Sequence, residues 1–82
     1  MKGTVIPLPA DAPRVGEVYQ HYKQGEQYRV TGLAVDTRDD QWVVVYAPLY
    51  ERPNAPLFTR PLSEWRESIL WEGQTVERFT LA

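Results

Sequence analysis

Gly16-Glu17-Val18-Tyr19-Gln20-His21-Tyr22-Lys23-Gln24-Gly25-Glu26-Gln27-Tyr28 is the stretch on which the fold turns. Aromatic and polar residues alternate around the chain's single histidine, which is the period of a strand with two unlike faces. The spacing predicts a strand over Val18–Lys23. Gln24-Gly25-Glu26 is read as a turn, with Gly25 supplying a positive φ, and a new strand opens at Tyr28.

Downstream the signals stay β. Tyr28–Thr37 alternates Tyr28, Val30, Gly32 and Ala34 on one side with Arg29, Thr31, Leu33 and Val35 on the other, and Gly32 permits a bend or bulge. Arg38-Asp39-Asp40 is a polar turn. Gln41–Tyr50 carries the run Trp42-Val43-Val44-Val45-Tyr46, whose β-branched and aromatic content predicts a central strand partly buried on both faces. Pro48 ends its regular pairing, 51–56 is a proline-rich loop, and Leu57–Arg60 is a short fourth strand. After Pro61 the period changes. Leu62, Trp65 and Ile69 are spaced three and four apart, one face of a short helix. Gly73 marks a turn and Val76–Leu81 a last strand.

Four strands, a helical segment and a closing strand predict a mainly β domain: a small SH3-like five-stranded barrel with one short helix before the last strand. The barrel is assigned to residues 14–82. Residues 1–13 form a proline-rich N-terminal extension, because Pro7, Pro9 and Pro13 forbid a helix and spoil a strand interior. The extension is read as disordered in preference to an extended strap through Val5-Ile6-Pro7-Leu8.

Composition narrows the function. The 82 residues make one domain, and with no cysteine neither a disulfide nor a thiolate metal site can staple it. Nine basic and eleven acidic residues give a net charge of −2, interspersed rather than in runs. That weighs against nucleic-acid binding, which draws its affinity from a cationic surface. No apolar stretch approaches the roughly 20 residues of a membrane span, and no secretory signal is readable, so a cytoplasmic location is expected.

Five blocks resemble the DUF1653 family, a small bacterial family of unknown function. They are Gly16, Tyr19, His21, Tyr22 and Lys23; Tyr28 and Val30; Val44, Val45, Tyr46, Leu49 and Tyr50; Arg60, Pro61 and Leu62, with Trp65 where the family has Phe; and Arg78 and Phe79. The resemblance covers Val15–Leu81. It departs between the second and third strands, where Asp36 replaces a histidine and Arg38 and Gln41 replace glutamates. It implies an SH3-like barrel and carries no activity with it.

The candidate ligand-binding residues are His21, Tyr28, Tyr46 and Arg60, read as one aromatic groove. His21 can donate, accept or titrate near neutrality. Alone, without a second histidine or a cysteine, it makes no zinc site. The competing reading is a half-buried histidine packed on aromatics and satisfied by backbone. Arg60 can hold a carboxylate or phosphate through two N–H groups; the competing reading is an internal salt bridge to Glu64 or Glu67, and Arg78 has the same two readings. The five tyrosines offer apolar area with a polar tip, suited to a groove or to core packing. Asp36, Asp39 and Asp40 lack the glycine and distant glutamate of a calcium loop. Ser63 and Ser68 sit in no nucleophile motif, and no glycine-rich phosphate loop is present.

The expected activity is therefore that of a non-enzymatic binding or adaptor module recognising a protein segment or an anionic ligand, with no cofactor. Nucleic-acid binding through the tyrosines is the alternative, and a small enzyme or enzyme regulator using His21 as general base is the third. The short strands also offer edge pairing as a route to a dimer.

Overall fold

The computed structural model describes residues 7–23, 25–50 and 56–82. Its elements in chain order are β1 (Val18–His21), β2 (Gln27–Asp36), β3 (Gln41–Pro48), β4 (Phe58–Pro61), α1 (Leu62–Trp65), β5 (Ser68–Trp71), β6 (Gln74–Glu77) and β7 (Phe79–Leu81). They form an antiparallel five-stranded sheet in the order β4-β3-β2-β1-β7 and a two-stranded sheet of β5 and β6. The sheet has the expected five strands, but the expected closure is absent. Among the described residues β4 and β7 remain its two edges, so no closed barrel forms.

β2 and β3 form the long central hairpin. Its turn is closed by Asp36, whose backbone carbonyl accepts the Asp40 N–H at 2.7 Å while its carboxylate takes the Arg38 N–H at 2.9 Å. Asp40 completes the turn at φ 57°, a left-handed conformation that aspartate tolerates better than most residues. The register slips between Val30 and Gly32, leaving Thr31 as a bulge. The bulge corrects the alternation expected for this strand. Tyr28 and Val30 do face the core. Beyond the bulge Leu33 packs against the core and Ala34 is exposed, because one inserted residue reverses every later side chain.

Three further expectations are corrected. The helix is one turn, Leu62–Trp65, started by Pro61, so Ile69 lies in β5 and not on a helical face. The strand read as Val76–Leu81 is two strands broken at Arg78, and the helix precedes three strands rather than one. The disordered extension does not hold at its C-terminal end: Ala12 is 8% exposed within the core, Pro13 is buried, and Asp11 pairs with Arg66 at 2.7 Å. Val5 and Ile6 of the strap segment, and the loop apart from Pro56, lie outside the described residues, as does Gln24 of the first turn.

The core is Val30, Val44, Tyr46, Leu62, Trp65, Phe79 and Ala12, with Tyr19, Tyr28, Leu33, Trp42 and Phe58 packed around it. Leu62 and Trp65 stand three apart, which puts both on the buried side of the single helical turn. Trp65 lies flat on Phe79, centroids 3.8 Å apart and planes 7° off parallel, while Tyr19 and Tyr46 meet Trp65 edge-on at 5.3 and 5.0 Å. In a domain this small a few such rings supply most of the buried apolar area. The β5–β6 hairpin is fastened to the main sheet by the Tyr22–Trp71 edge contact at 5.3 Å and by the Tyr22 N–H donating to the Arg78 carbonyl at 3.0 Å.

Candidate functional site

His21 closes β1. Its backbone N–H donates to the Glu26 carbonyl at 2.9 Å and its carbonyl accepts from the Gly25 N–H at 3.1 Å, which fixes the ring's position over the β1–β2 turn. Nδ1 accepts the Lys23 N–H at 3.2 Å, so in the neutral imidazole the proton belongs on Nε2. The ring meets Tyr22 at 4.6 Å and stands edge-on to Phe79 at 5.1 Å.

Arg60 arrives from β4, opposite Val44. Its Nη1 donates to Glu64 Oε1 at 3.3 Å, and its guanidinium carbon lies 5.8 Å from the centre of the Phe79 ring, within cation–π reach. Its Nε is buried and has no hydrogen-bond partner among the described residues. Arg78, from the bend between β6 and β7, is held at two atoms: Nε donates to the Glu64 carbonyl at 3.1 Å and Nη2 to Glu67 Oε1 at 2.6 Å. The internal salt bridges that competed with a ligand role are therefore present for both arginines, each to one of the two glutamates named from the sequence.

The electrostatics around His21 are cationic in a chain that is acidic overall. Its pKa is lowered from 6.5, first by burial, then by the charges of Arg60 and Arg78 and, further down, Lys23, with only Glu26 acting in the opposite sense. Tyr28 donates its hydroxyl to Glu26 Oε2 at 3.0 Å. Its pKa is raised, by burial first and then by hydrogen bonding with Tyr50 and Glu26. Tyr19 is likewise pushed up to about 12 by burial and by its hydrogen bond to Glu17.

Phe79 brings the four predicted residues together. His21, Tyr28, Tyr46 and Arg60 all lie within 5.1–6.0 Å of its ring. They do not make an aromatic groove. Tyr46 is 5% exposed and is a core residue that no ligand can reach; it looked like a site residue because tyrosine serves cores and grooves equally. What remains accessible is the half-buried pair His21 and Arg60, with Tyr28 beside them. Phe79 was missed as the residue that organises the cluster. The Arg78-Phe79 block of the resemblance carried the signal, but nothing in the sequence places β7 next to β1.

Two concave regions lie elsewhere, and none of the four candidates lines either. A groove of about 400 Å³ has Trp42, Pro61, Leu62 and Pro9 on its walls and Asp39 and Glu64 at its rim. A more polar one of about 360 Å³ is bordered by Asp11, Tyr19, Trp65 and Glu77. Among the described residues no three of His, Cys, Asp and Glu are grouped so as to hold a metal ion, and no helix is long and apolar enough to cross a membrane. The hairpin aspartate Asp36 is instead held by Arg38, whose side chain and backbone N–H keep its pKa down at about 2.

The family model described as "Protein of unknown function (DUF1653)" matches residues 17–81. A crystal structure of a protein belonging to DUF1653 from Bordetella bronchiseptica is similar to the chain at 39% identity, with a TM-score of 0.72. The match covers 82% of this chain and 85% of that one. No curated protein matches the chain.

Proposed function

The chain belongs to the DUF1653 family of proteins of unknown function, and from that premise we propose that it is a non-catalytic binding module whose accessible site, His21 with Arg60, takes an anionic group presented by a protein segment. The observation that carries this reading is the Arg60 Nε: a charged N–H, buried and without a partner among the described residues, beside a histidine whose surroundings are already cationic. An unsatisfied buried donor on a charged group costs on the order of 1–3 kcal/mol. With the Arg60 side chain 28% exposed, a small turn of its guanidinium would bring the Nε–H to a carboxylate or phosphate oxygen and remove that cost, while the His21 Nε2–H donates alongside. The anion would also relieve the mutual repulsion of Arg60, Arg78 and Lys23. The strand order β4-β3-β2-β1-β7, with a helical turn after β4, supports reading the fold as SH3-like with the β5–β6 hairpin inserted before its last strand; modules of that shape are built to present short strands and loops to a partner.

The test is an NMR titration of the full chain with inorganic phosphate and with a short acidic peptide, reading the Arg60 Nε–H and the His21 ring. Both signals should move in the wild type. Arg60→Lys keeps the charge but lacks the Nε donor, so it should bind roughly ten-fold more weakly, about 1.4 kcal/mol. Equal shifts in wild type and Arg60→Ala would sink the proposal. Preferential binding of single-stranded nucleic acid with a steep salt dependence would instead support the nucleic-acid reading.

A further inference from the structure

The groove between the β2–β3 hairpin and α1 lies apart from His21, and its chemistry is of another kind. We propose that it is a docking seat for an extended, proline-containing segment of a partner protein that carries a lysine or arginine beside its prolines.

The walls set the shape of the occupant. Trp42 is half-buried and held against the core, Leu62 is buried, and Pro61 is exposed with φ at −52°. Pro9 also lines the groove. It is held by a turn in which the Ala12 N–H donates to the Pro9 carbonyl at 3.1 Å, and the turn is anchored by the Asp11–Arg66 pair and by Ala12 in the core. An indole and two proline rings present flat apolar faces with few backbone donors, since proline has no N–H. A segment rich in proline suits such walls. It has few amides to leave unsatisfied, it packs ring on ring, and its extended helix is set before binding, so little conformational freedom is lost on docking.

The rim sets the charge. Asp39 is exposed and has no ion-pair partner within 4.0 Å among the described residues; its Oδ1 accepts only the Gln41 N–H, at 3.1 Å. Glu64 also lines the groove, half-exposed, with Arg60 at 3.3 Å on one oxygen. Arg66, the cation among the described lining residues, is paired with Asp11 at 2.7 Å. The rim is therefore net acidic and complements a basic residue, whereas the charges that act on the His21 ring are mostly cationic, Arg60, Arg78 and Lys23 against Glu26. The two surfaces select ligands of opposite sign.

The experiment is an amide and indole NMR titration of the full chain with the capped peptide Arg-Pro-Leu-Pro-Pro-Leu-Pro and with the same peptide carrying Glu in place of Arg. The arginine peptide should shift the Trp42 indole N–H and the Gln41 and Ser63 amides, and should bind more tightly than the glutamate peptide. Asp39→Lys lies in an exposed turn and should weaken the arginine peptide about five-fold while improving the glutamate peptide. A spectrum otherwise unchanged in that variant shows the fold intact. Silence at Trp42 with either peptide overturns the proposal, and so does equal affinity for both. Dilution-dependent shifts at Trp42 without peptide would put a second copy in the seat. Peptide binding seen only when Val5 and Ile6 are both changed to Asp would put the chain's own N-terminal residues there. Either result overturns the partner reading.

Discussion

His21 is the residue at which the sequence and its surroundings meet most directly. Its folded pKa lies below 6.5 because burial and the nearby cations disfavour the imidazolium. Protons therefore bind the unfolded chain more readily than the folded one. This contribution to stability is undiminished above pH 6.5, falls as pH drops below it, and stops falling once the pH passes the folded pKa. Thermal unfolding from about pH 7 to about pH 5 should show Tm decreasing more steeply in wild type than in His21→Gln; parallel curves would remove the claim. The histidine's place on a strand and its half-buried state were legible in the alternation of Gly16–Tyr28. Its cationic surroundings were not, because Arg60 and Arg78 reach it from β4 and from the bend before β7, distant in sequence.

The elements show where local pattern is decisive and where it is ambiguous. Val43–Tyr46 could be read as a central strand because β-branched residues in a row fit little else. Leu62, Trp65 and Ile69 fit a helix of two turns equally well as a single turn followed by a strand. The chain takes the second course, since Glu72 and Gly73 turn back at φ 51° and 81° and pair β5 with β6. Two consecutive positive φ values define the hairpin turn that matches strand twist, and Glu is a poor choice for the first of them. Glu72→Asn should raise stability by a few tenths of a kcal/mol, and Gly73→Ala should lower it by roughly 1 kcal/mol. The alanine methyl meets nothing within 4 Å, so that loss would be backbone strain alone. Urea unfolding of the two variants checks both signs; a neutral Gly73→Ala would mean the hairpin is not held in this turn.

At the scale of the whole molecule, an open five-stranded sheet leaves the core to be closed by parts that are not strands. Trp65 from the single helical turn and Ala12 from the N-terminal segment do this. Deleting a buried tryptophan typically costs about 3–5 kcal/mol. A small domain has on the order of 5–15 kcal/mol in all, so Trp65→Ala should remove a large share of it and lower Tm by more than about 10 °C. Trp65→Phe, which keeps a ring on Phe79, should remain folded with a lowered Tm; circular dichroism melts separate the two. Four strands of the main sheet were legible from turn spacing, the fifth was read as one strand with part of β6, and closure was not legible. Hydrogen bonding between first and last edges depends on strand lengths and bends, and the four-residue β4 and three-residue β7 are too short for pattern to decide.

The flat stack of Trp65 on Phe79, with Tyr19 and Tyr46 edge-on, has an optical consequence. Excitation absorbed by these two phenols passes to the indole before they can emit, and the indole radiates from an apolar enclosure. The folded chain should therefore be dark in tyrosine fluorescence and blue-shifted in its Trp65 emission. Opening the core at Trp65 switches the tyrosine band on, so the chain reports the integrity of its own centre without a label.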